Sequence, residues 1–170
     1  MRASIVYKLR ITNYEMSVVY LGIGSNLGDR RRNIDGVIAL LSERVGEVRA
    51  LSGFYETQPW GYDSEELFLN VTVEVETGMS PAELLVVTQT IERDAGRQIK
   101  TVNAEYHDRT IDIDILLFDD LIINTPELTI PHPLMHLRAF VLHPLTEIAP
   151  HAVHPVLRKS IEELSMFRNS

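Results

Sequence analysis

Two carboxylates spaced two residues apart carry the strongest chemical signal in the chain: Asp112 and Asp114, in the run Arg109-Thr-Ile-Asp-Ile-Asp-Ile-Leu116. Ile111, Ile113, Ile115 and Leu117 alternate with Asp112, Asp114, Leu116 and Phe118. A strand here buries the first set and turns both carboxylates to the other face, their Cα atoms roughly 6.5–7 Å apart. Carboxylates that close repel, and burying them unpaired costs several kcal/mol or forces protonation. A hard divalent cation removes the conflict, and Mg²⁺ typically takes one or two carboxylates together with phosphate oxygens and water. The alternative is a solvated surface pair neutralised by Arg109 and its neighbours.

Other residues offer weaker chemistry. Phe68 and Asn70 share one face of an alternating strand; the amide presents a donor beside an acceptor, suited to a heterocycle edge, and the ring offers a stacking surface. His132 is held between Pro131 and Pro133. No His-x-x-x-His zinc pattern, nucleophile elbow or Ser-His-Asp arrangement is present. The run Gly22-Ile-Gly-Ser-Asn-Leu-Gly28 misses the dinucleotide fingerprint by one register, because Leu27 stands where the third glycine belongs. Its glycines read as a tight turn and close packing, with Ser25 or Asn26 bonding locally. Arg30-Arg31-Arg32 falls in a first helical turn, where the dipole disfavours cations, and reads as a solvated face.

These residues need elements to position them. Ser17–Gly24 reads as a buried strand, and residues 29–45 as a helix with Ile34, Val37, Ile38, Leu41 and Val45 on one face. Residues 48–57 read as one further strand and 58–66 as a loop broken by Pro59 and Gly61. Residues 67–77 alternate, with Leu67, Leu69, Val71, Val73 and Val75 inward. Ser80-Pro-Ala-Glu83 is a capping box opening a helix through Ala95, with Gly96 to end it. A polar loop spans 97–109, a strand 110–118, a turn Asp119-Asp120, and a short returning strand 121–123. A helix over 138–148, interrupted near Pro144, and another from Ser160 complete the chain. The order implies an α+β domain: a ferredoxin-like βαββαβ antiparallel sheet with helices on one face, plus a C-terminal hairpin and helices.

The 170 residues carry 16 Lys+Arg against 24 Asp+Glu, a net charge of −8, and no Cys. One domain is expected over 16–170, with 1–15 a dispensable extension before Met16. The balance excludes a general nucleic-acid binder, and no apolar run reaches the roughly 18 residues of a membrane span. Disulfides and thiolate metal sites are excluded, and a reducing, cytoplasmic home is permitted. Between an acidic stretch at 61–92 and another at 111–130, the cations Arg93, Arg97, Lys100 and Arg109 lie close together.

In combination the motifs are specific. Gly24-Ser-Asn-Leu-Gly28, Phe54-Tyr-Glu-Thr57 with Pro59 and Gly61, Phe68-Leu-Asn70, Gln89-Thr-Ile-Glu92, Gly96-Arg97, Arg109–Leu116, Pro131-His132 and Arg138-Ala-Phe140 occur in order over Val18 to Pro150. The chain thereby resembles the 6-hydroxymethyl-7,8-dihydropterin pyrophosphokinases of folate biosynthesis. The resemblance implies transfer of the β,γ-pyrophosphate of ATP to the pterin hydroxymethyl group with release of AMP, using two Mg²⁺ ions on Asp112 and Asp114. It implies a pterin site of Thr57, Gln58, Pro59, Trp60, Phe68, Asn70, Tyr106 and Phe140. ATP would meet Leu85, Gln89, Glu92, Ile115, Thr129, His132 and Arg138, with Arg97, Lys100 and Arg109 as catalytic cations over the triphosphate. A monomer acting on small molecules is expected. Glu105-Tyr-His-Asp-Arg109 departs from the Arg-Trp-Gly-Pro-Arg of many members, keeping only the last Arg. Two other readings remain: a different Mg²⁺-dependent phosphoryl or nucleotidyl transferase, and a small-ligand regulatory module with a surface Asp pair.

Overall fold

Strict alternation over ten residues makes Phe68–Thr77 (β4) the longest strand and the one around which the sheet assembles. The computed structural model describes residues 15–96 and 110–168. Ahead of β4 come β1 (Ser17–Ser25), α1 (Arg30–Arg44), β2 (Glu47–Leu51) and β3 (Tyr55–Thr57). After it come α2 (Pro81–Asp94), β5 (Asp112–Phe118), β6 (Ile123–Asn124), β7 (Thr129–Ile130), a 3₁₀ turn at Met135–Leu137, α3 (Ala139–Ile148) and α4 (Ile161–Arg168). The main sheet runs β2-β4-β1-β5, with β3 also on β4, and every pairing is antiparallel. The expected extension at 1–15 and the loop 97–109 fall outside the described residues, apart from Glu15.

Local chemistry accounts for the helix limits. Asp29 caps α1 by accepting from the Arg32 N–H at 3.0 Å. Ser80 and Glu83 form the reciprocal capping box of α2, with Pro81 at its first position, and Ser160 and Glu163 repeat the device at α4. Gly96, at φ +91°, follows the C-terminus of α2 in the left-handed region. α3 continues through Pro144 without the expected interruption.

One face of the sheet sends Val19, Leu21, Ile23, Val71, Val73, Val75, Ile113 and Ile115 into a core closed by Ile34, Val37 and Leu41 of α1 and Leu84 and Ile91 of α2. A second core packs Leu116 and Leu117 against Met135, Val141, Leu142 and Leu145, with Ile161 and Leu164 of α4. The described residues cover only part of that second face, and the remainder is the floor of the site.

Three further expectations change. The strand predicted over 48–57 is two strands, because Ser52 and Gly53 leave the extended path. Ser52 Oγ accepts from the Thr72 N–H at 2.9 Å, and the Gly53 N–H donates to Glu147 on α3 at 2.9 Å. The residues after the Asp119 turn do not return along β5. A hairpin forms instead between β6 and β7, with Ile123 opposite Ile130. The alternation in β5 also fails at its end, where a bulge opposite Tyr20 and Leu21 sends Phe118 to the first core and Leu117 to the second.

Candidate active site

The open half of the sheet is lined by β1, β4 and β5 side by side, so alternate residues of three strands meet on one surface. Gly22 pairs with Thr72 and Asp114, and Gly24 with Asn70 and Asp112. The two glycines lie within β1, as the strand expected over 17–24 requires, and the expected turn falls at Gly28, φ +66°. A Cβ on Gly24 would stand 3.1 Å from Asn70 Oδ1 and 3.4 Å from the Phe68 ring, so glycine leaves room for both.

Above this floor is an open cavity. Thr57, Gln58, Trp60, Phe68, Asn70 and Phe140 line it, as do Asp112, Asp114 and Arg138. Pro59 lies between two lining residues but does not line it. Asn70 is 6% exposed, and its Nδ2 donates to Thr57 Oγ1 at 2.7 Å. That bond fixes the amide orientation and joins β3 to β4 at the site. Arg138 is 5% exposed. Its guanidinium carbon lies 4.5 Å from the Trp60 ring centroid and 5.6 Å from that of Phe140, with Nη1 3.9 Å from Asp114 Oδ2. The aromatic faces shield a cation aimed at the carboxylates.

A second, shallower cavity lies beyond β5, lined by Leu85, Ile113, Asp114, Ile115, Thr129, His132 and the 126–128 segment. Asp114 belongs to both cavities. His132 follows the cis Ile130–Pro131 bond and sits 3.8 Å from Asp114 through Nε2, while Nδ1 accepts from the Leu134 N–H at 3.2 Å. Burial, then the Arg138 charge, push its pKa down to about 4 against a weaker opposing pull from Asp112. At neutral pH it is an uncharged imidazole whose proton is on Nε2.

Of the other residues expected around ATP, Gln89 is half-buried one turn beyond Leu85 on α2, and Arg138 lines the first cavity. Glu92 is 5% exposed and lines neither cavity; its Oε1 accepts from the Ile113 N–H at 2.8 Å, between the two aspartates. Arg97, Lys100, Tyr106 and Arg109 lie outside the described residues. Tyr62 was not singled out by sequence reasoning, yet it lines the first cavity and meets Phe68 edge-on, ring centroids 6.5 Å apart. An aromatic residue within the 58–66 loop was its only signal. Among the described residues no three His, Asp or Glu side chains cluster as a ready-made metal cage. Two hard carboxylates at an aqueous junction nevertheless suit a cation that keeps phosphate and water as its other ligands.

Fold and site together define a class: an antiparallel α+β domain with an aromatic, amide-edged cavity and a second cavity meeting at a carboxylate pair. Residues 20–150 match the family described as 7,8-dihydro-6-hydroxymethylpterin-pyrophosphokinase (HPPK), and the chain belongs to that family. It is 47% identical over 141 residues to the 2-amino-4-hydroxy-6-hydroxymethyldihydropteridine pyrophosphokinase of Porphyromonas gingivalis, covering 82% of this chain and 95% of the relative. The same-named protein of Aquifex aeolicus is 40% identical over 148 residues, covering 87% and 90%. The fold resembles the crystal structure of wild-type Plasmodium falciparum HPPK-DHPS, with a TM-score of 0.75 and 19% identity over 91% of this chain and 45% of that one. No helix of the described residues is long and apolar enough to cross a membrane.

Proposed function

We propose that this chain transfers the β,γ-pyrophosphate of ATP to the hydroxyl of 6-hydroxymethyl-7,8-dihydropterin, giving the pterin diphosphate and AMP, a step of folate biosynthesis. The observation that carries the reading is the sharing of Asp114 by the two cavities. A pterin in the first and a nucleotide in the second would bring their reacting ends to one carboxylate pair. The strand order β2-β4-β1-β5, with α1 and α2 as crossovers, supports the ferredoxin-like βαββαβ plan.

In this reading Asn70 meets the pterin edge, its orientation fixed by Thr57, and Phe68 and Phe140 stack on the ring. Gln58, Pro59, Trp60 and Tyr62 form the loop beside it, with Tyr106 as a further aromatic contact. Leu85, Gln89, Ile115, Thr129 and His132 face ATP, and the neutral His132 donates from Nε2 without repelling a metal. Two Mg²⁺ ions on Asp112 and Asp114 would supply charge neutralisation between the phosphates and the attacking hydroxyl. The hydroxyl oxygen bonds to the β-phosphorus as the bond from that phosphorus to the α,β-bridging oxygen breaks. AMP leaves, and the hydroxyl proton passes to water. Arg138 beside Asp114, with Arg97, Lys100 and Arg109, would offset phosphate charge, so no strong side-chain base is required. Glu92 acts by holding β5 rather than by touching the nucleotide.

The test is incubation with ATP, Mg²⁺ and the hydroxymethyl pterin. One AMP is expected for each pterin consumed, and none without pterin. ADP as the product, or no reaction from folded protein, would contradict the reading. The catalytic unit is proposed to be a monomeric, cytoplasmic domain over 16–170. A chain beginning at Met16 should retain its kcat, and a loss would make residues 1–15 part of the unit.

A further inference from the structure

Three arginines in the first turn of α1 oppose the helix dipole, and the first of them has a use that a solvated face does not explain. Arg30 donates through Nη1 to the Leu67 carbonyl at 2.8 Å and through Nη2 to Glu56 Oε2 at 2.7 Å. Glu56 lies on β3 and Leu67 directly precedes β4, so one planar guanidinium spans both ends of the 58–67 loop. The neighbouring Asn26, 1% exposed, donates from Nδ2 to Tyr62 Oη and to the Glu66 carbonyl, each at 3.3 Å. The loop so held contributes Gln58, Trp60 and Tyr62 to the first cavity.

We propose that Arg30, assisted by Asn26, is a positioning residue for the pterin side of the reaction: together they staple the 58–67 loop to the segment joining β1 to α1 and so set its place beside the first cavity. This rests on the proposed function only in naming the ligand. The Arg30–Glu56 contact is 30% and 50% exposed on its two sides, where an isolated ion pair contributes little. Its effect comes from geometry: the β3–β4 pairing of Thr57 with Phe68 already joins the ends of this ten-residue loop, and anchoring it to α1 through Arg30 and to Tyr62 and Glu66 through Asn26 further reduces the conformations it samples before the ligand arrives. Lysine is a poor substitute, since one ammonium does not reproduce the planar fork that reaches both acceptors. The second cavity contains none of the stapled residues, so the effect is confined to one substrate.

The chain has a single tryptophan, Trp60, within the stapled loop, which provides a readout independent of turnover. In Arg30→Met, acrylamide quenching of Trp60 without ligand should rise. KM for the hydroxymethyl pterin should rise roughly tenfold, the scale of one lost charge-assisted hydrogen bond. KM for ATP, kcat and melting temperature should stay near wild type, and Arg30→Lys should recover only part of the pterin KM. Unchanged quenching, or an unchanged pterin KM, in folded Arg30→Met would overturn the proposal. If Arg30→Met does not fold, Glu56→Ala removes the side-chain acceptor at one end of the loop and is judged by the same two readouts. If wild-type protein does not turn over the pterin, the functional reading fails, while the quenching comparison still decides whether the staple exists.

Discussion

At the level of single residues the site depends on what is missing from β1 as much as on what projects from β4 and β5. Gly24 faces Asn70 and Phe68 across the floor, and a methyl group there would press on the amide oxygen at 3.1 Å. Gly24→Ala should therefore raise the pterin KM about tenfold and change the ATP KM little, measured by steady-state kinetics with each substrate varied. The carboxylate pair was legible from spacing alone, because alternation with isoleucine leaves an Asp-x-Asp strand little choice of face. Close packing at the glycines was legible, but what they pack against was not: no local pattern says that Asn70 pairs with Gly24. Tyr62 escaped for a similar reason: loop residues carry no periodicity to say which way they point.

Among the elements, α2 and β5 are joined by a buried polar contact that the family motifs alone do not explain. Glu92 accepts the Ile113 N–H with only 5% of the residue exposed, fixing the strand between Asp112 and Asp114. Glu92→Leu leaves that N–H without its acceptor and should cost about 2 kcal/mol of stability. Glu92→Gln keeps an acceptor and should cost less than half as much, as chemical denaturation would measure. If the two variants lost stability equally, the bond to Ile113 would not be what holds the strand. Helix limits were the most legible feature, since Asp29, Ser80-Pro-Ala-Glu83 and Ser160 with Glu163 each satisfy backbone donors locally. The break at 52–53 was hidden because its cause, Glu147 on α3, lies 94 residues away from Gly53. The β6–β7 pairing was hidden too, being fixed by contacts that no local pattern encodes.

For the whole molecule, the second core and the site share a support. His136 follows the buried Met135 on the 3₁₀ turn before Arg138, and its ring meets that of His154, 5% exposed, at a centroid distance of 6.2 Å. His154 Nδ1 accepts from the Leu157 N–H, tying the segment before α4 in place. Burial first, then the neighbouring His136, lower the His154 pKa from its ordinary 6.5. The folded state thus binds a proton less readily than the unfolded chain, so this contribution is present above about pH 6.5 and is lost as pH falls through the window below it. His154→Gln should flatten the dependence of melting temperature on pH below about 6.5. An unchanged slope would assign that dependence to other groups.

At this scale too, the net charge of −8 does not describe what an anionic substrate meets. Arg138 stands beside Asp114 at the junction of the cavities, and the Asp pair, with the metal ions proposed for it, would present positive rather than negative potential. The central claim is that a two-phosphate unit moves across that junction in one step. Turnover of ATP labelled at the β-phosphorus tests this most directly. The label should appear in the pterin product, with unlabelled AMP and no labelled ADP. Label retained in ADP, or released as free pyrophosphate without reaching the pterin, would contradict the account.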